Sequence, residues 1–374
     1  LFLLLESSYV SNPHFFKVLD DKITSIYLMT KKNEPASEYV TIVDIDAYSI
    51  DMLGQWPFPR DMIAQALINL TNSGAGIIGF DMVFANPDRL SPHRIAQRIN
   101  VDGNFSNNDL LFSQTLTQTP VILGYFFDMS KETNSPEPKH LATIKIENSQ
   151  ELKYFNKAMS VVDNIDILKN SAYSSGFFNL TNITSGVVDS APILISYQNK
   201  LYPSLATEML RISSGVSDIN ILNSELGTLG INIGNLNIPS SRNAEIKLNF
   251  RGKGFSYKYL SFYDIYTNNF KQEDVQGKFI LIGTSDIGLN DLVTTLYDAA
   301  MPGVEVHATT IDNILNNDFF YTPQDSYTYG IVLILLSTII LALFLYYFSA
   351  SYSFLIFVMF LILVLGINYY LIFS

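Results

Sequence analysis

Apolar residues in this chain fall into short runs separated by polar, proline-marked or glycine-marked stretches, and the spacing within each run predicts an element. Val40-Thr41-Ile42-Val43-Asp44-Ile45-Asp46 is a nearly continuous apolar run of the kind a buried strand carries. Pro57 and Pro59 punctuate the approach to a helix, and Pro59 suits a first helical turn. Ile63, Ala66, Leu67 and Leu70 recur at the spacing of one helical face, and Gly74 is a suitable stop. Gly76-Ile77-Ile78-Gly79-Phe80-Asp81 is the next strand, apolar enough to be covered on both faces, and such a parallel crossover is right-handed. A capped helix is expected near residues 107–116, a third strand over 120–127, and an exposed, partly β insertion over 129–160. Short β segments dominate from Gly176 to Phe250, interrupted by a helix near Ser204 to Ile212. Phe279–Gly283 is another buried strand, and Val304 to Asn316 a helix with Val304, Ala308, Ile311 and Leu315 on one face. Together these elements predict an α/β fold: a mixed, mainly parallel central sheet flanked by helices, with a β-rich insertion.

Near the end the pattern changes. Asp325 is the last charged residue, and 327–374 hold no Asp, Glu, Lys, Arg or His. Two apolar runs, 327–348 and 354–373, are each about 30 Å long as helices, the thickness of a bilayer core. Ser349-Ala350-Ser351 reads as the turn between them, and aromatic residues such as Tyr329, Tyr346 and Tyr347 stand at the expected interfaces. The organisation expected is the end of a first transmembrane helix at 1–9, a body over 10–320, and transmembrane helices at 327–348 and 354–373. The lipid bilayer is thus an expected partner.

Composition narrows the functions open to the body. The net charge is -12, all of it outside the apolar tail, and an acidic surface repels phosphate backbones, so no nucleic-acid partner is expected. The absence of cysteine removes disulfides, thiol catalysis and cysteine metal sites. With four histidines and no Gly-rich phosphate loop, His-Glu-x-x-His or Gly-x-Ser-x-Gly, neither a cofactor nor a resident metal is expected.

Candidate chemistry gathers at the carboxyl ends of the expected strands, where open α/β sheets bind ligands. Asp44 and Asp46 end the first, Asp81 ends the second, and Thr284, Ser285 and Asp286 follow the late one, with Asp291 in the next loop. Carboxylates so grouped repel one another unless a cation or a basic ligand group joins them, so they read either as a ligand or divalent-cation pocket or as acids that cap helices, bond loop amides or face water. Asp44-Ile45-Asp46 also resembles the nucleophile motif of haloacid-dehalogenase-type phosphatases. That family's other parts are missing: no lysine follows Thr284, and there is no Gly-Asp-x-x-x-Asp. Trp56 reads as a packing anchor or a stacking ring. Arg60 opens a helix against the dipole, which calls for a carboxylate partner such as Asp44, Asp46 or Asp81. His307 sits beside the apolar face of its helix and reads as a half-buried, hydrogen-bonded histidine or as a ligand contact.

Three stretches are more specific together: Gly54-Gln55-Trp56-Pro57-Phe58-Pro59-Arg60, Gly79-Phe80-Asp81-Met82-Val83-Phe84-Ala85-Asn86-Pro87 and Met301-Pro302-Gly303-Val304-Glu305-Val306-His307-Ala308. With Gly176-Phe177-Phe178-Asn179, Gly186-Val187-Val188 and Gly277–Gly283, they resemble the CHASE2 domain over about residues 10 to 320. One departure is Asp189-Ser190-Ala191, where that family usually has a basic residue. The resemblance implies an extracytoplasmic sensory module, not an enzyme, in the inner membrane of a bacterium. It would relay an unknown small-molecule or protein stimulus to an output such as a cyclase, histidine kinase or diguanylate cyclase. A homodimer is expected, since tethered receptors commonly signal by rearranging paired subunits. A metal-dependent phosphohydrolase using Asp44 and Asp46, or a membrane-anchored assembly module, are the alternative readings.

Overall fold

A computed structural model describes residues 34–133, 135–147, 152–180, 186–224, 227–286, 288, 291–318, 320 and 326–347, with isolated stretches between 352 and 366. The chain divides into two compact units, Asn33–Tyr321 and a second drawn from its two ends. Residues 1–9, where the sequence predicts the end of a first membrane helix, lie outside the described residues.

In the first unit the elements run β1 (Val40–Asp44), α1 (Ala47–Leu53), α2 (Arg60–Asn72), β2 (Ile77–Phe80), α3 (Pro92–Arg98), α4 (Asn108–Leu116), β3 (Val121–Asp128), β4 (Thr143–Glu147) and β5 (Ser160–Val162). They continue with α5 (Asp166–Ser171), β6 (Ser174–Phe177), β7 (Ser190–Pro192), β8 (Leu194–Tyr197), β9 (Lys200–Pro203), α6 (Leu205–Ser213), β10 (Asp218–Ser224), β11 (Gly227–Ile233), β12 (Leu236–Pro239) and β13 (Glu245–Lys247). Last come β14 (Lys258–Ser261), α7 (Phe262–Tyr266), β15 (Phe279–Gly283), β16 (Leu292–Val293), β17 (Met301–Pro302) and α8 (Val304–Asn316).

The central sheet has the order β14-β1-β15-β2-β3-β5, with β6 also paired to β3. All its pairings are parallel except β3–β5, so the sheet is mixed and mainly parallel. Period-2 alternation puts the strand side chains into two cores. Val40, Ile42, Phe279 and Leu281 face α6 and α8 on one side. Val43, Ile45, Ile280 and Ile282 face α2, α4 and α7 on the other. A four-stranded sheet, β12-β11-β10-β4, adds Ile219, Ile221, Ile231 and Ile233 to the α6/α8 core. As a result α8 is buried all round, from Val304 to Ile314. The single apolar face expected for it is an underestimate, because a layer of protein lies on either side.

Several ends are set by local chemistry. Asn107 caps α4 by accepting from the backbone N–H groups of Asp109 and Leu110, and Ser204 caps α6 through Thr207. Asn317 takes a left-handed conformation that closes α8. At Gly283 an added Cβ would stand 2.7 Å from Val304 Cβ, so β15 and α8 touch only because that position is bare.

The described part of the second unit is chiefly α9 (Ser326–Tyr347), a 22-residue helix without a charged side chain. In the second apolar run residues 354–360 are helical. Among the described residues no helix is long and apolar enough to cross a membrane.

Candidate ligand-binding site

β15 lies between β1 and β2, and the three strands send their chains to opposite faces of the sheet. After β1 and β2 the chain runs to the α2/α4 side, and after β15 it runs to α8. Diverging connections open a crevice at the carboxyl ends of such strands. Here the crevice is a cavity of about 230 Å³ lined by Ile45, Asp81, Met82 and Thr284 from the strand ends, with Trp56, Phe178, Leu180, Asp291, Gly303 and His307 around them.

Each wall is held by identifiable bonds. Asp81 N–H donates to Ile282 O at 2.8 Å, which continues the β2–β15 ladder into the site. Thr284 Oγ1 donates to Ile45 O at 3.0 Å. The Trp56 ring packs edge-on against Phe58, centroids 5.2 Å apart. Phe178 follows β6, and the next residue, Asn179, fixes that segment by exchanging two hydrogen bonds with the Phe127 backbone. The loop bearing Asp291 is tied at three points. β16 pairs with β17, Gly303 N–H donates to Asp291 O, and Val188 N–H donates to Thr294 O.

Three titratable groups meet in the cavity. His307 Nε2 lies 3.4 Å from Asp81 Oδ1, both side chains almost fully buried. Asp291 comes next, its carboxylate resting where a Cβ on Gly303 would be, 2.6 Å from Oδ1. Burial opposes a charge on His307, but the Asp81 and Asp291 carboxylates and a hydrogen bond to the Phe178 backbone outweigh it, and the imidazole is raised above its ordinary value. Burial, with the charge of Asp81 added and His307 opposing, pushes Asp291 up to about 7. His307 is therefore a buried ion-pair partner, not half-buried, because α8 has no solvent side.

Trp56, Asp81, Thr284, Asp291 and His307 thus come together. Asp44, Asp46, Ser285 and Arg60 do not join them. Asp44 accepts from the Ser285 backbone (2.8 Å) and hydroxyl (2.5 Å), and burial raises it to about 6 despite those bonds. Asp46 caps α1 through Ser49 N–H and accepts from Ser261 Oγ at 2.9 Å. Arg60 is buried elsewhere, its guanidinium 3.9 Å from Asp109 and 4.2 Å above the Phe84 ring, and its backbone N–H donates to Asp88. Its expected partners Asp44, Asp46 and Asp81 are replaced by Asp109 and Asp88, brought in by the loop after β2 and by α4. Asp189 pairs with Lys247 of β13 at 3.5 Å. Among the described residues no three His, Cys, Asp or Glu side chains converge as metal ligands.

Ile45, Met82, Phe178, Leu180 and Gly303 were not foreseen as lining residues. Met82, Phe178 and Gly303 do lie inside the motif stretches singled out above, which was the one available signal.

Fold and site define an α/β domain with a small, acidic cavity at the carboxyl ends of its parallel strands. Compared with known families, the chain matches the CHASE2 domain over residues 1–345. It belongs to the CHASE2 family, a sensory rather than catalytic domain family of signalling receptors, whose members are extracytoplasmic modules of membrane receptors. No curated protein and no solved structure matches it.

Proposed function

We propose that this chain is the sensory input portion of a bacterial membrane receptor: Asn33–Tyr321 lies outside the inner membrane, α9 crosses it, and the strand-end cavity receives the stimulus. The observation that carries this reading is the family match, which runs through the body and on to residue 345, inside α9. The sequence adds its own support, since 327–348 carry no charged residue and would span about 30 Å as a helix, the thickness of a bilayer core. The cavity supports ligand binding, and in sequence α8 is the last helix before the apolar segment. His307 and Gly303 lie on or beside the first turns of α8, which ends at Asn316, and α9 begins at Ser326. A ligand that prefers one arrangement of the β15–α8 contact shifts the balance by its difference in affinity for the two states. The output, a cyclase, histidine kinase or diguanylate cyclase, and a homodimeric assembly belong to the same proposal.

The absence of cysteine makes the topology directly testable. Single cysteines are placed at Gln97, exposed in the body, and at Ile339 in α9, and intact cells are treated with a membrane-impermeant maleimide. Labelling of Gln97→Cys in intact cells, with Ile339→Cys reacting only after denaturation in detergent, is the expected result. A body that labels only after lysis overturns the extracytoplasmic placement.

A second reading, a body that docks a protein partner, is favoured by one observation. Leu90, Ile95, Ile99, Val101 and Phe105 are all exposed within one short stretch around α3. The phosphohydrolase reading loses support from the same structure, because Asp44 and Asp46 are taken up by Ser285, Ser49 and Ser261.

A further inference from the structure

We infer that the strand-end cavity binds a small organic cation of the alkylammonium class, its charge held by Asp291 and Asp81 and its carbon atoms packed against Trp56 and Phe178. This rests on the reading of the domain as a ligand-binding sensor and names the chemistry of its ligand.

Four observations converge. First, the cavity carries two carboxylates and one base, and that base, His307, is already committed to Asp81. Among the described residues no donor hydrogen-bonds the Asp291 carboxylate, so a partly buried acid faces the cavity with its acceptors unused. An ammonium group, with its N–H donors and its charge, supplies what that acid lacks. Second, among the described residues no Lys or Arg lines the cavity and its one basic group, His307, is taken up by Asp81, so a carboxylate or phosphate ligand would meet Asp291 and Asp81 with no uncommitted positive partner. Third, the remaining walls are Trp56, Phe178, Ile45, Met82 and Leu180. Aromatic faces attract cations, and apolar walls suit a short alkyl chain better than a bare hydrated ion. Fourth, about 230 Å³ falls below the ~300–1,000 Å³ of sites for drug-sized ligands, so the ligand has only a few carbons. The net charge of -12 favours the approach of cations over anions throughout.

Binding then has a proton signature. Among the described residues the titratable groups lining the cavity are Asp81, Asp291 and His307. A cation beside Asp291 favours its ionised form, so binding near pH 6.5 releases a proton to the buffer.

The test uses the full 374-residue chain in lipid nanodiscs. Trp56 is the only tryptophan, so its fluorescence reports the cavity directly, and calorimetry in buffers of different ionisation enthalpy reports the proton. Titrants are n-propylammonium chloride, tetramethylammonium chloride, potassium propionate, 1-propanol and potassium chloride. Saturable responses to the ammonium ions alone are expected, with proton release at pH 6.5. Asp291→Asn raises the dissociation constant at least ~10-fold, the weight of one charge-assisted bond, and abolishes the release. Gly303→Ala does the same by displacing the carboxylate, and at φ -58 its backbone accepts alanine without strain. Saturation by propionate or propanol instead overturns the cation class and leaves the sensory reading standing. No response to any probe from the folded protein, or unaltered binding in Asp291→Asn, overturns the site itself. The topology test above fails or succeeds independently of both.

Discussion

Asp44 and Ile45 are adjacent in sequence but face opposite ways across the pleat. Ile45 lines the cavity while Asp44 turns back to Ser285. Asp46 belongs to the next turn, where it caps α1. Asp46→Ala should therefore cost about 1 kcal/mol of stability, as the loss of a cap does, with the cavity's ligand response unchanged; thermal unfolding and Trp56 titration on the same variant check both halves. Asp291 behaves differently because its acid is raised in the folded state. A raised carboxyl keeps its proton longer folded than unfolded, so its stabilisation is present at low pH and is lost as pH rises through about 7. Asp44 at about 6 and Glu305 at about 7, both raised by burial, have the same sign. The raised His307 stabilises below its unfolded value, and that contribution is lost as pH climbs through its folded one. The unfolding midpoint of the body should fall from pH 5 to pH 8. Asp291→Asn should match wild type near pH 4, below the unfolded value of the carboxyl, and exceed it at pH 8 by on the order of 1–2 kcal/mol, allowing for the partial exposure of the group. Five of the site residues were legible because strand ends and motif loops are where such cavities form. Strand-end position alone cannot say which side of the pleat an acid faces, and so Asp44 was grouped with Asp81. Arg60's partners were hidden because Asp88 and Asp109 reach it through folding, not through sequence proximity.

At the scale of elements, two glycines in the same sheet make contrasting contacts. A Cβ on Gly283 would strike the branched Val304 Cβ at 2.7 Å, while one on Gly79 would meet the flexible end of Met209, 2.5 Å from its sulfur. Gly283→Ala should cost about 1–3 kcal/mol, because strand and helix must part, and Gly79→Ala distinctly less, because a thioether can swing aside. Unfolding midpoints of the two variants test the order; equal losses would deny the rigid β15–α8 contact on which the proposed relay depends. The long elements were readable in advance because each fills a run of matching period. Val304–Asn316 and Phe279–Gly283 stand where apolar spacing put them. The α1, α3, α5 and α7 helices were not foreseen. At five to seven residues they make too few turns for a period to register. What spacing also could not show is that α8 lies between two sheets. Its Glu305, His307, Asp312 and Asn313 are buried polar groups, each with a partner.

For the whole molecule, the break at Asp325 was the clearest feature of the sequence, since composition needs no folding to be read. The extent of the family match was less evident: it continues past the expected limit of residue 320 to 345. Arg251, which drew no notice in the sequence, is where the body's chain ends meet. Its buried guanidinium pairs with Asp312 of α8 and with Asp318 beyond it, and Glu34, the first described residue, lies 3.8 Å away. Removing Arg251 strands a fully buried Asp312, so Arg251→Met should cost about 3–5 kcal/mol, and Arg251→Met with Asp312→Leu should recover much of it. A double-mutant cycle on unfolding of the body measures the coupling; additive losses would mean that the two groups do not act as a pair.

The meeting of Glu34 and Asp318 on one guanidinium also bears on how such a domain can be shared among proteins. A unit whose incoming and outgoing segments are neighbours can be cut out and grafted into a surface turn of another polypeptide without stretching either junction. Residues 34–320 thus form a cassette whose two junctions lie side by side, so recombination can carry it from one polypeptide to another without altering its core.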